Sequence, residues 1–377
     1  MDQDDEITPD ALYWFAKELE KNPDADVIYS DECKKDTKGN LYDFYLKPDW
    51  SPMLMLNHMY TSHLTLYRQS IVEKVGGFRT EFNFAQDYDL MLRVSDQTDK
   101  IYHIERILYF WRSIEGSGAN GDKDYARVLG RKAVEEHYKR MGLKCISAQF
   151  PHSNYCKIIR TENPVVSIII PSDSFKNIKM AINSILMNTS YTHIQIIPVT
   201  NSLTARELKE EFNNLECLKI CKYDKIFNFS DKCNEGAKIA DGEYLVFYND
   251  DVFPKSSDWL ERLLEVTYFK NVASVSPMLV FENNLIQYAG MATNLPGLNG
   301  TVFNGYPHDL IETVFHQNLI RNITVLSGAV FLISKEKFEE VNGFDAINTP
   351  NGHSDVDISF KLIEKGYQLV YTPFSKL

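Results

Sequence analysis

The chain is predicted to be an α/β protein whose rear part carries a mostly parallel sheet, and two observations lead there. From residue 165 onward, apolar runs of strand length alternate with amphipathic helical periods: strands over 165–170, 194–199, 218–223 and 244–248, helices over 178–187, 205–212 and 230–240. Alternation of that kind implies parallel strands covered by helices on both faces, with ligands bound beyond the carboxyl ends of the strands. The second observation is a pattern that occurs twice in the same order. Asp2-Gln3-Asp4-Asp5 is followed by Val75-Gly76-Gly77-Phe78 and Gln86-Asp87-Tyr88-Asp89-Leu90; Asn249-Asp250-Asp251 is followed by Val341-Asn342-Gly343-Phe344 and Ser354-Asp355-Val356-Asp357-Ile358. One module in two copies is expected, the first of them starting at its own acidic cluster.

In the front part, Thr8-Pro9-Asp10 reads as an N-cap with proline at the first helical position, and Leu12, Phe15, Ala16 and Leu19 then fall on one helical face. Val27-Ile28-Tyr29 is a buried strand and residues 36–40 form a polar turn. A short helix over 70–75 is stopped by Gly76-Gly77, helical periodicity resumes over 87–94, and a long charged helix over 124–141 ends before Gly142. The stretch that follows, over 144–164, reads as a connector with a little strand character. The expected organisation is therefore a first domain over 1–143, a connector over 144–163 and a second domain over 164–377. In the second domain Asp258-Trp259-Leu260 opens a helix after the acids, as Asp10-Ala11-Leu12 does in the first.

With 377 residues, 44% hydrophobic and 24% charged, the chain has the composition of two or three ordinary globular domains. Its formal charge of -12 argues against a nucleic-acid partner, which requires a dense Lys/Arg surface. The six cysteines, Cys33, Cys145, Cys156, Cys217, Cys221 and Cys233, form no CxxC pair and have no histidine at zinc spacing, so buried thiols in a reducing cytosol are expected. Acids rather than a basic and apolar leader follow Met1, and the longest apolar stretch, over 325–333, is too short to span a bilayer. Asn228 and Asn322, each in an Asn-x-Ser/Thr triplet, then read as chance matches.

Adjacent carboxylates at a strand end can hold Mg2+ or Mn2+ together with the oxygens of a substrate diphosphate. The same acids could instead cap the following helix and favour its positive end. Recurrence before equivalent helices favours the cation. Asp87 and Asp355 each begin a helix shortly after a Gly-Phe turn, where a cap is again the simpler reading. A plain cap does not call for the second acid two residues on, Asp89 or Asp357. One carboxylate of each pair suits a general base for an acceptor hydroxyl, and the other suits an anchor for the loop.

Together these residues resemble the inverting glycosyltransferase family 2, whose members have the GT-A nucleotide-diphospho-sugar transferase fold. The likeness is to large multi-domain bacterial members that build O-antigen, rhamnan or other surface polysaccharides. The second copy resembles the family over nearly its whole length, through Val166-Ser167-Ile168-Ile169-Ile170-Pro171, Phe227-Asn228-Phe229-Ser230 with Asn234 and Gly236, Gly242-Glu243-Tyr244, Asn249-Asp250-Asp251, Ser327-Gly328-Ala329, Gly343-Phe344-Asp345 and Asp355-Val356-Asp357. The first copy resembles the later half of the same module, through Asp2-Gln3-Asp4-Asp5, Tyr29-Ser30-Asp31-Glu32, Lys47-Pro48-Asp49-Trp50, Gly76-Gly77-Phe78, Gln86-Asp87-Tyr88-Asp89 and Trp111-Arg112.

The resemblance implies a nearly complete GT-A domain preceded by the C-terminal half of another, both acting within a longer parent chain. It implies a divalent cation, Mn2+ or Mg2+, at Asp250 and Asp251 and, in the first copy, at Asp2 and Asp4 with Asp5 beside them. It places the general base at Asp355 and Asp87, and the nucleotide-sugar contacts at Asp173, Asn201, Asn234 and Asp250. The implied partners are a nucleotide diphosphate sugar donor and a glycan or lipid-linked glycan acceptor, in the cytoplasm, with peripheral association to the inner membrane through other subunits. Two departures bear on activity. Val199-Thr200-Asn201-Ser202 stands where the family has Val-Asp-Asn-Gly, so Thr200 replaces a nucleotide-binding carboxylate. Phe110 stands where a histidine commonly precedes Trp-Arg, and His103 nearby reads as structural. A non-catalytic glycan-binding or scaffold module is the alternative these departures support. A nucleotidyltransferase would need a Gly-rich or basic triphosphate segment, and no P-loop or GxGxxG occurs.

Overall fold

The computed structural model describes residues 1–113, 124–147, 153–269, 271–295, 298–309 and 316–377. These form two compact units, Met1–Ile159 and Arg160–Leu377. The change of unit falls inside the stretch expected to be a connector, of which residues 148–152 lie outside the described residues.

The first unit contains β1 (Glu6–Ile7), α1 (Ala11–Lys21), β2 (Val27–Lys35), β3 (Leu41–Tyr45), α2 (Pro52–Met55), β4 (Thr65–Tyr67), α3 (Gln69–Lys74), α4 (Gln86–Ser95), β5 (Ile101–Arg112), α5 (Asp124–Arg140), β6 (Cys145–Ser147) and β7 (Cys156–Ile158). Its sheet has the order β1-β5-β2-β3, with β4 also antiparallel to β2 and β5 parallel to it. The first helix starts later than the sequence suggests. Ala11 N–H closes a turn onto Thr8 C=O, which leaves Pro9 and Asp10 in that turn, and Asp10 accepts from the Trp14 indole at 2.8 Å rather than capping. Its buried stripe is accordingly Ala11 and Phe15, packed on Ala25, Ile28, Ile104 and Leu108, with Leu12 left 72% exposed.

The second unit contains β8 (Val166–Pro171), α6 (Phe175–Met187), β9 (Ile194–Thr200), α7 (Ser202–Glu211), β10 (Cys221–Lys222), α8 (Phe229–Ile239), β11 (Tyr244–Tyr248), α9 (Trp259–Leu264), β12 (Val272–Val280), β13 (Ile286–Tyr288), β14 (Met291–Leu295), β15 (Leu298–Thr301), β16 (Arg321–Ile323), β17 (Val330–Ser334), α10 (Lys335–Glu340), α11 (Ser354–Glu364) and β18 (Gln368–Lys376). The sheet order is β10-β9-β8-β11-β17-β12-β18-β16. Strands β10, β9, β8 and β11 run parallel, β17 is antiparallel to both of its neighbours, and β12 and β18 are again parallel. The alternation read from the sequence is therefore the parallel part, β10-β9-β8-β11, of a sheet in which β17 and β16 run the other way. Helix α8 lies close on it because Gly236 has no side chain: a Cβ there would sit 2.6 Å from Ile169 Cγ2 and 2.9 Å from Val199 Cγ2.

The two units repeat a set of elements with the same pairings. In each, the acidic loop leads to a helix and a strand (β2 or β12) that pairs with a parallel partner (β5 or β18) and an antiparallel one (β4 or β17). The turn that follows also repeats. Gly77 N–H donates to Val72 C=O and Gly343 N–H to Phe338 C=O, both at 2.9 Å, and Gly76, Gly77, Asn342 and Gly343 all have φ between 59° and 83°. Two successive left-handed residues are what a helix stopped in this way requires, which explains the Gly-Gly and Asn-Gly pairs. The first unit has no counterpart of β11 or α8 among its described residues.

Candidate active site

In the second unit the carboxyl ends of β8, β9 and β11 meet the loops before β17 and α11. Asn249 N–H donates to Ala329 C=O at 2.9 Å, which ties the acidic turn after β11 to the start of β17. Directly after that bond, Asp250 is half-buried and accepts through Oδ2 from the Ser172 hydroxyl at the end of β8; Asp251 is exposed. Ser172 is buried, and its oxygen in turn accepts from Ser174 N–H at 3.1 Å. Spacing did not single out Ser172, because a serine after a strand carries no pattern of its own.

Asp355 lies in the first turn of α11, after His353 in a left-handed conformation. Its Oδ1 accepts from Val356 N–H at 2.9 Å and its Oδ2 from Gly328 N–H at 3.0 Å. A Cβ at Gly328 would lie 3.2 Å from that oxygen, closer than nearly all real contacts, so the missing side chain is what lets the carboxylate settle on the backbone. A continuous path of bonds now joins both acidic clusters: Asp355 to Gly328, the adjacent Ala329 to Asn249, and Asn249 to the adjacent Asp250. The acid two residues on, Asp357, pairs with Lys361 at 2.6 Å.

The residues implied as nucleotide contacts fall into two kinds. Asp173 is at the strand ends: its Oδ1 accepts from Asn201 N–H at 2.9 Å, from the Lys232 ammonium at 2.7 Å and, at 3.4 Å, from the Thr200 hydroxyl. Asn201 caps α7, accepting from Thr204 N–H at 3.0 Å. Asn234 uses its amide elsewhere. It donates to Phe344 C=O at 2.9 Å and accepts from Phe344 N–H at 3.0 Å, clamping α8 to the turn before α11. That clamp ties α8 to the turn ahead of Asp355's loop and uses one of the amide's two N–H donors. Lys232 was not legible as a site residue, since a lysine in a helix is ordinarily a solvated one; here it is fully buried. Burial lowers its pKa, opposed by the hydrogen bond and charge of Asp173.

In the first unit, Asp2, Asp5 and His63 each offer a ligand atom within 4.8 Å of the others, the one such group of metal-binding spacing among the described residues. Asp4, named from the sequence, is outside it. Asp5 is buried and accepts from the Tyr109 hydroxyl and, at 2.8 Å, from Arg112 N–H. The His63 ring is 4.8 Å from that of Tyr109; the backbone N–H of His63 donates to Glu32 at 2.9 Å, and its backbone carbonyl accepts from the buried Lys47 ammonium. Asp87 occupies the place of Asp355, with Oδ1 accepting from Tyr88 N–H at 2.8 Å. Asp89 is buried between Arg79 and Arg93, and Arg93 also holds Val75 C=O and Gly77 C=O. Burial alone would raise the Asp89 pKa, but the two guanidinium groups lower it. His103 is buried between Asp31 at 2.9 Å and Asp49 at 3.3 Å; burial opposes its protonation, yet the two carboxylates win and raise its pKa to about 9.

Residues 167–341 match the family model described as glycosyl transferase family 2. The matched segment lies wholly within the second unit, so it is this unit, with its α/β fold, that carries the similarity to glycosyltransferase family 2. The chain is also 33% identical, over its whole length, to 43% of the protein y4gI of Sinorhizobium fredii. It is 32% identical, over 99% of its length, to 30% of the O-antigen biosynthesis protein RfbC of Myxococcus xanthus. It thus spans less than half of each of these relatives. Among solved structures, that of GalNAc-T7 with UDP, GalNAc and Mn2+ is similar over 59% of this chain and 45% of that one, at 16% identity and a TM-score of 0.49, and no assignment rests on it. Among the described residues no helix is long and apolar enough to cross a membrane.

Proposed function

We propose that the second unit transfers a sugar, with inversion, from a nucleotide diphosphate sugar to a hydroxyl of a glycan or lipid-linked glycan acceptor in the synthesis of a bacterial surface polysaccharide. The observation that carries this reading is the bonded path from Asp355 through Gly328, Ala329 and Asn249 to Asp250. It holds a candidate base and a candidate cation site on one rigid frame, as in-line displacement requires. The name of the Myxococcus relative supports the polysaccharide.

Asp355 takes the acceptor proton, each of its oxygens accepting one backbone N–H, which fixes the carboxylate and leaves it further lone pairs for the proton. Asp250 and Asp251 fit Mn2+ or Mg2+, since they offer hard oxygen donors at a strand end and Ser172 orients one of them. When bound there, a divalent cation offsets the charge that develops on the departing diphosphate. Asp173 binds the nucleoside. The first unit is the later half of a second module, with Asp87 as its base and Asp2, Asp5 and His63 as its cation site, acting within a longer chain at the cytoplasmic face of the membrane.

The test is Asp355→Asn, which preserves size and keeps one of the two hydrogen bonds that the carboxylate accepts. Donor-dependent transfer is expected to fall about a thousandfold, while the gain in thermal stability from nucleotide with Mn2+ is retained. Transfer at the wild-type rate removes the base assignment. A gain in stability with glycan alone, and none with UDP, GDP or dTDP, would favour a binding module instead.

A further inference from the structure

We infer that Lys232 is a positioning residue for the donor nucleoside: its buried ammonium holds one oxygen of Asp173 so that the other accepts a hydrogen bond from the nucleoside. The inference rests on the second unit binding a nucleotide diphosphate sugar, and it adds a residue that neither the motifs nor the family match supplies.

Lys232 is reached by geometry rather than by charge pattern. It lies one helical turn before Gly236, on the same face of α8, and the close approach that Gly236 permits carries it to the ends of β8 and β9. There it is fully buried, with the ammonium 3.2 Å from Val199 C=O and over the rings of Tyr223 and Phe227 at 5.4 and 4.9 Å from their centroids. The neighbouring positions of this helix face are Cys233, Gly236 and Ala237, so an apolar side chain would satisfy packing. An ammonium in such a place is costly to desolvate, and only a partner charge offsets it. That partner is Asp173, at 2.7 Å.

The consequence falls on Asp173. Three donors, Lys232, Asn201 N–H and the Thr200 hydroxyl, converge on Oδ1, while Oδ2 accepts none among the described residues and the side chain is 36% exposed. Thr200 itself is fully buried and presents nothing to a ligand. Asp224 nearby is occupied by the N–H and hydroxyl of Ser202. At the ends of these two strands, then, the carboxylate available to a ligand belongs to Asp173, and its chemistry selects a donor group: a base N–H or a ribose O–H.

Isothermal titration of the full chain with UDP, N3-methyl-UDP and 2′-deoxy-UDP in Mn2+, repeated with GDP and 2′-deoxy-GDP, tests this in the wild type and in Lys232→Met, an unbranched apolar replacement. Wild type is expected to lose about tenfold in affinity when the recognised donor group is removed, with the methylated base and the deoxyribose separating the two sources. Lys232→Met is expected to bind the parent nucleotide about tenfold more weakly and to lose the discrimination, so that parent and analogue bind within twofold of each other. Retained discrimination in Lys232→Met overturns the inference while leaving the proposed reaction intact. If the wild type binds none of the nucleotides, both fall. Should Lys232→Met not fold, Lys232→Gln, which keeps a hydrogen bond but no charge, is read in the same way.

Discussion

Phe78 and Phe344 stand at the same place in the two units, directly after a helix stopped by two left-handed residues, yet one is 64% exposed and the other 3%. Phe344 packs on Phe247 of β11 and Phe229 of α8, with ring centroids 4.9 and 6.1 Å apart, and Asn234 of α8 holds its backbone. The first unit has no such strand or helix among its described residues. Leu66 in β4 and Leu332 in β17 differ in the same way, 41% against 0%. The local turn thus forms from its own sequence in both units. The buried platform beneath it, and with it the fixed position of the loop that carries Asp355, comes from the opening βα elements that, among the described residues, the second unit alone shows.

The comparison can be broken most severely by truncating the two phenylalanines. Phe344→Ala is expected to destabilise the second unit by about 3–4 kcal/mol, whereas Phe78→Ala costs the first unit less than about 0.5 kcal/mol, measured by denaturant unfolding. Equal costs would mean that the two turns share one packing environment. A pH difference is the next largest effect. Because the folded-state pKa of His103 is raised to about 9, its stabilisation is complete below the unfolded value near 6.5 and is lost as pH rises to about 9. The loss is expected to be on the order of 2 kcal/mol and confined to the first unit; a His103→Gln chain should show no such decline over that interval.

A smaller effect separates the loops that lead into β17 and β4. Before β17 the chain reads Ser327-Gly328-Ala329, and at the same place before β4 it reads Ser62-His63-Leu64. The second unit keeps this position empty so that Asp355 can rest on the backbone, whereas the first fills it with a ring facing Asp2 and Asp5. Gly328→Ala is therefore expected to lower kcat about tenfold, roughly 1.4 kcal/mol, with little change in the KM for donor. An unchanged kcat would show that the close approach at Gly328 does not set the position of the base.

Much of the fold was legible because it follows from periodicity. The strands and helices expected over 165–248, the Asp-led helix after each acidic cluster and the glycine-stopped helices appear close to where spacing and turn chemistry put them, except that the strand expected over 218–223 shrinks to Cys221–Lys222. The first helix was misplaced at its start and given the wrong buried face, since Pro9 initiates a turn as readily as a helix and periodicity does not say which of two adjacent stripes meets the sheet. Asp355 and Asp250 could be named from their motifs, but their connection through Gly328 and Ala329 links residues about 80 to 105 positions apart and depends on how β17 pairs with β11.

By itself the sequence determined the local chemistry: which segments extend, which coil, where two left-handed residues must stand, and that carboxylates recur in one order. These are properties of neighbouring residues. Only the tertiary structure decided what each polar group would be used for. Asn234 clamps the backbone of Phe344, His63 joined Asp2 and Asp5, and Lys232 passed from a helix surface into the floor of the site. The reason is physical: burial sets the cost of a charge, and the partner that offsets it lies on another strand, beyond the reach of any spacing rule.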